Sequence, residues 1–161
     1  ASTWAVLALT CHIELFTQAH YRESLESERA LSPLFKDVFL YHWREESQHA
    51  ILDELEWRRE DAALGQSERD RGVDDFIMLV KSVDGILRAQ AAADAEYFQI
   101  ACSRVFPATQ RTRLAESLLA AYRWQYILSG ASEARFRKIL GSLATAHQLR
   151  RIENALAPLA D

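Results

Sequence analysis

The sequence predicts an all-α fold: an up-and-down four-helix bundle with a short C-terminal helical pair, in a single domain over residues 1–161. Three observations predict it. The 25 alanines and 21 leucines make helix formers dominant. Five glycines and three prolines are 8 of 161 residues, about 5% where average usage is roughly 12%. An all-β sandwich or barrel needs turn residues every 8 to 12 positions and is excluded by that scarcity. Finally, the few breakers sit far apart and divide the chain into long periodic stretches.

The elements follow in order. Ser2 or Thr3 caps a first helix running to about Glu28. Ser32-Pro33, an N-cap followed by proline at the first helical position, opens a second helix that runs to about Leu64, with Gly65 as its C-cap. Gln66 to Gly72 reads as a polar loop. A third helix spans about Val73 to Val105 and is stopped by Pro107. Thr109 caps a fourth from Gln110 to Ser129, ended by Gly130. Ser132–Leu140, closed by Gly141, and Thr145–Leu156, closed by Pro158, form the terminal pair. Thr145 and Gln148 have capping-box spacing. The first helix is apolar almost all round from Trp4 to Phe16, which places it at the bundle centre or in a subunit interface, and suggests a homodimer.

Composition narrows the function. A hydrophobic content of 49% supports a real core, and a net charge of −4 gives no footprint for nucleic acid. The run Trp4–Cys11 is too short to span a membrane and lacks the basic flank of a signal peptide. Two cysteines, Cys11 and Cys102, cannot build a disulfide scaffold. These features point to a cytoplasmic protein with neither a membrane nor a nucleic acid as partner. The chain begins with Ala1 and turns helical within three residues, leaving open both a removed initiator and a longer parent chain.

The chemistry is concentrated on the second helix. At 100° per residue, His42, Glu46, His49 and Asp53 fall within about 60° of one another, on a single face. Imidazole and carboxylate together suit iron, manganese or zinc. Glu14, inside the apolar stretch of the first helix, needs a partner. The predicted metal ligands are Glu14, His42, Glu46 and His49, with Tyr21, Asp53 and Asp94 as further or supporting residues. The competing reading is a buried network in which these groups only hydrogen-bond to each other.

With Glu14, Tyr21 seven residues later and Glu46-x-x-His49, the chain resembles the ferritin-like di-iron carboxylate superfamily. The longer His42-x-x-x-Glu46-x-x-His49 form is similar to its p-aminobenzoate N-oxygenase-like variant. The resemblance covers roughly residues 10–55 by motif. It implies that Glu14 holds one metal, that Tyr21 hydrogen-bonds near the site, and that Glu46 bridges with His49 terminal. It also implies one or two iron ions, a non-haem oxidoreductase or oxygenase activity, and oxygen or a small molecule as substrate. The second half departs from the pattern: Asp94 is the nearest third-helix carboxylate, and the fourth helix has no Glu-x-x-His. A mononuclear site, a site completed by a second copy or another segment, and a lapsed site all remain open. His42-x-x-x-Glu46 also fits haemerythrin spacing, but the His-x-x-x-His pair of that family is absent. A reading from another class is a catalytically silent helical bundle that binds a small apolar ligand or serves as a dimerisation module.

The remaining polar residues have plainer expectations. His12 and His20 read as surface or interface histidines and His147 as a helix-start surface residue. Glu45 faces solvent, and Arg58 to Asp61 form a mixed-charge solvated face. Asp94, on the stripe of Val80, Val83, Leu87 and Phe98, is a core carboxylate. Cys11 is a small buried hydrophobe. Tyr122, Trp124, Gln125 and Tyr126 form a cluster that fits the lining of a substrate cavity, but an aromatic stripe at helical spacing is more often plain core, and that is the reading adopted.

Overall fold

The structure, a computed structural model, describes residues 1–160. Among them it is all-helical, without a strand. Helix α1 spans Thr3–His20, α2 Pro33–Ala63, α3 Gln66–Ala101, α4 Ala108–Arg123, α5 Ser129–Ser132, α6 Ala134–Leu143 and α7 Ala146–Leu156. Two π-helical turns interrupt this regularity, Tyr21–Leu25 after α1 and Trp124–Leu128 between α4 and α5. No helix among the described residues is long and apolar enough to cross a membrane.

The caps explain most boundaries. Ser2 accepts from the Ala5 amide at 3.4 Å, and Ser32 from that of Phe35 at 3.2 Å with Pro33 behind it. Thr145 and Gln148 form the capping box, bonding reciprocally at 2.7 and 3.3 Å. Glu133 caps α6 by accepting from the Arg135 amide at 2.8 Å.

Several boundaries differ from the sequence expectation. Gln66–Gly72 is the start of α3 rather than a loop: Glu68 and Arg71 face solvent, while Arg69 pairs with Asp61 and Asp70 accepts from Gln148. Gly65 is therefore the N-cap of α3 and not the C-cap of α2, and its amide donates to Glu68 at 2.8 Å. Gly72 sits inside that helix because a Cβ there would stand 3.1 Å from the Trp4 ring. Helix α3 ends at Ala101 rather than Val105, where Ser103 takes a left-handed backbone with φ 51°. Pro107, not Thr109, occupies the N-cap position of α4. Gly130 and Gly141 stop nothing; both lie within helices.

Helix α1 is central on its inner side, packing against α2, α3, α5 and α6. Trp4 and Trp57 meet edge to face at 5.1 Å, and Trp57 stacks on Phe136 at 6.0 Å. Ala5, Ala8, Cys11, Val73, Phe76, Ile139 and Ile152 complete the core. The outer side of α1 is not covered, since Val6 and Ile13 are 44% and 38% exposed.

Polar ties fix the helices to each other. Asp61, expected in a solvated face, is buried and accepts from Trp4 Nε1 at 2.9 Å while pairing with Arg69 at 3.2 Å. Asp84 on α3 pairs with buried Arg123 at the end of α4 at 2.7 Å. Glu54 joins Arg135 at 3.0 Å, and Glu133 joins Arg22 at 2.7 Å.

Candidate metal centre

Glu14 enters from α1 and the remaining candidates from α2, one helical turn apart, so their side chains share the groove between the two helices. Glu46 is the hub. Its carboxylate, only 14% exposed, lies 3.1 Å from His42 Nε2 and 2.9 Å from His49 Nδ1. Its backbone carbonyl accepts from Gln18 Nε2 at 3.3 Å, which fixes α2 against α1 at this level. Glu14, Glu46 and His49 each offer a ligand atom, and the three atoms lie within 4.8 Å of one another. His42 and His49 are nearly half exposed, 46% and 48%.

The electrostatics single out the carboxylate pair. Burial pushes the Glu14 carboxyl up to about 8, reinforced by its hydrogen bond with Glu46 and by the charges of Glu46 and Asp53. Glu46 moves the other way, held below the usual carboxylate range by the hydrogen bond from Glu14 and by His49 and His42, against the pull of desolvation. The opposite shifts have one cause, two carboxyl groups that face each other across the groove. Asp53, half-buried on the same face, adds negative charge without joining the three donors.

The other candidates stand apart. Tyr21 is buried with its ring 5.7 Å from that of Trp43. Among the described residues no hydrogen bond links its hydroxyl to Glu14 or Glu46. Asp94 is not in the buried core but at its edge. It accepts from the Tyr122 hydroxyl at 2.6 Å and from Gln90 at 2.9 Å, and these bonds hold its carboxyl low. Cys11 is fully buried as a small hydrophobe, and burial pushes its thiol up to about 12. Glu45 and His147 are exposed.

Two sequence expectations are corrected here. His12 is not a surface histidine: it is 5% exposed, and its Nε2 donates to the Ile127 carbonyl at 2.8 Å. Gly130 makes that contact possible, because a Cβ there would stand 2.7 Å from His12 Nε2. His20 is half-buried with a hidden Nδ1. Nor are Tyr122, Trp124, Gln125 and Tyr126 plain core. They form one wall of a cavity of about 580 Å³, whose other wall includes Tyr21, Trp43 and His42. Trp124 and Tyr126 are each 41% exposed. The sequence raises such a cavity only as the second reading of this cluster, because the π-helical turns that open it leave no mark in the hydrophobic period.

No protein-family model, curated protein or solved structure matches the chain. The functional reading therefore stands on residues and geometry.

Proposed function

We propose that this chain is a ferritin-like, metal-binding helical protein whose centre takes iron or manganese, with zinc as a further competitor, and that its activity is that of a non-haem oxidoreductase. The single observation that carries the reading is the group formed by Glu14, Glu46 and His49, three donors from two helices whose ligand atoms lie within 4.8 Å of one another. The donor set fits such an ion: carboxylate oxygen and imidazole nitrogen suit these divalent metals, and His42 and Asp53 flank the three donors. Bound iron would supply one-electron redox chemistry with oxygen. The chain's own part is separate from that. Glu14 gives up its proton on metal uptake, Gln18 anchors the Glu46 backbone, and Glu46 holds both histidines in place.

The test is metal analysis after anaerobic reconstitution with ferrous or manganous ion. The expected result is retained metal in the wild-type chain and at least tenfold weaker retention in Glu46→Gln. Absence of retained metal in the wild type overturns the proposal.

A homodimer belongs to the same reading. Between Thr3 and His20 the only acidic side chain is Glu14, and there is no Lys or Arg. The outer stripe Val6, Thr10, Ile13 and Thr17 is uncharged, with Val6 and Ile13 exposed and the two threonines half-buried. A second copy laid across this side would bring a second Glu14, Glu46 and His49, and so both halves of a two-metal ligand set. Sedimentation with and without manganous ion checks it; a monomer under both conditions rejects it. The catalytically silent alternative is favoured by one feature, the missing Glu-x-x-His on α4, and survives only if no metal is retained.

A further inference from the structure

We propose that helix α2 forms a two-stranded antiparallel coiled coil with α2 of a second copy of this chain, in the register that sets Glu45 opposite Gln48. Helix α2 packs on α1, with smaller contacts to α6 and to the Tyr21–Leu25 turn, and only Ala50, Trp57 and Asp61 of its 31 residues are buried. Trp57 marks the inner side, where it meets Trp4 of α1 edge to face. The opposite side, about 180° away at 100° per residue, is apolar at both ends. Leu34, Val38 and Tyr41 form one half and Leu52 and Leu55 the other, each more than half exposed. Exposed Glu45 and Gln48 lie between them, and exposed Arg59 closes the far end.

The spacing says what kind of surface this is. From Leu34 to Arg59 the steps along this side alternate strictly, four residues and then three. A seven-residue repeat held that long keeps one seam turned toward a partner helix and imposes a left-handed supercoil. Five large apolar side chains on such a seam, uncovered within one chain, call for a partner of matching pattern.

The identity of the partner follows from how the seam pairs. Laid antiparallel on a second copy, it sets Val38 against Leu55, Tyr41 against Leu52, Glu45 against Gln48, and Leu34 against the aliphatic stem of Arg59. Apolar residues meet apolar residues, and the Gln48 amide donates to the Glu45 carboxylate of the other copy, twice by symmetry. One flank sets Asp37 against Arg58, a pair of opposite charges; the other sets Phe35 against Glu56 and His42 against His49. Every competing arrangement is worse. Sliding by one heptad sets Glu45 against Leu55, or Gln48 against Val38, and strands a polar group. A parallel pair stacks Glu45 on Glu45 and Arg59 on Arg59, like charge on like charge. The seam is therefore complementary to itself in one direction and one register. It lies on the far side of α2 from α1, so this contact is separate from the α1 contact proposed above, and it rests on no metal.

The experiment uses the full chain, treated with EDTA, with exposed Cys102 replaced by Ser. In the antiparallel pair Leu34 lies beside Arg59 of the other copy, whereas the two copies of Leu34 are about 37 Å apart, 25 residues at 1.5 Å each. Leu34→Cys and Arg59→Cys variants are prepared separately, mixed, and treated with a short bis-maleimide. Mass spectrometry should find a covalent heterodimer in the mixture and no covalent dimer of either variant alone. Leu52→Glu, added to both variants at an exposed position, should leave helicity unchanged and lower the heterodimer yield at least tenfold. No heterodimer in the mixture overturns the proposal, as does self-cross-linking of Leu34→Cys, the mark of a parallel pair. A yield that Leu52→Glu leaves unchanged overturns it too. Pairing through α1 alone produces neither the heterodimer nor its loss in Leu52→Glu, so the two contacts give different results.

Discussion

Replacing Glu14 with Gln should change how the stability of the metal-free protein depends on pH. In the unfolded chain this carboxyl titrates near 4.5, whereas burial and Glu46 move it to about 8 in the folded state. Between those values the native state holds the extra proton, so stability falls as pH rises from about 4.5 to about 8 and levels off above. At 1.36 kcal/mol per pH unit the full interval corresponds to about 5 kcal/mol. Glu14 is partly solvated and its charge is screened, so about 1–2 kcal/mol is expected to survive. Glu46 does not confuse the window: its carboxyl is lowered, so its contribution is present above the unfolded value and lost only below it. His12 and His20 are both lowered by burial and act with the opposite sign, losing stability as pH falls below about 6.5, but equally in both proteins. The assay is urea unfolding of EDTA-treated protein at pH 5.0, 6.5 and 8.0. Relative to Glu14→Gln, the wild type should lose about 1–2 kcal/mol between the first and last pH. Parallel pH profiles for the two proteins would show that the Glu14 carboxyl is not raised in the folded state.

The other expectations concern packing and reactivity. Gly130→Ala should destabilise by about 1–3 kcal/mol in thermal unfolding, because its Cβ would stand 2.7 Å from His12 Nε2 and 3.0 Å from Phe16 Cβ. Gly85→Ala and Gly141→Ala meet nothing within 4 Å, so each should stabilise its helix by about 0.5–1 kcal/mol; a loss of stability in either contradicts the packing described. Arg123→Ala strands the Asp84 carboxylate with only the more exposed Arg88 and should cost about 3 kcal/mol by urea unfolding. Native protein at pH 8 should take up one equivalent of iodoacetamide, at exposed Cys102, while buried Cys11 stays unmodified by mass spectrometry until the chain unfolds.

What the amino-acid order revealed follows from which physics is local. Ser2, Pro33 and Thr145 mark helix starts through caps made within four residues, and each start is found where the cap places it. The α2 face is legible for the same reason, since helical spacing alone brings His42, Glu46 and His49 together. Misreadings arise where a distant partner decides. Gln66–Gly72 looks like a loop by its polarity, yet Asp70 accepts from Gln148 and Gly72 receives Trp4. Gly130 looks like a stop, but it is there to admit His12 from α1. Asp61 looks solvated within its charged run, and only the arrival of Trp4 makes it buried. The π-helical turns have no local signature, and the aromatic cluster Tyr122 to Tyr126 looks the same by spacing whether it fills a core or lines a cavity.

Anomalous diffraction from crystals grown with manganous ion decides whether Glu14, Glu46 and His49 form a divalent metal centre. A peak is expected in the groove between α1 and α2, within about 2.0–2.3 Å of carboxylate oxygens of Glu14 and Glu46 and of a His49 ring nitrogen. The peak should vanish in Glu46→Gln crystals. Absence of a peak there in the wild type, or a peak that persists unchanged in Glu46→Gln, would contradict it.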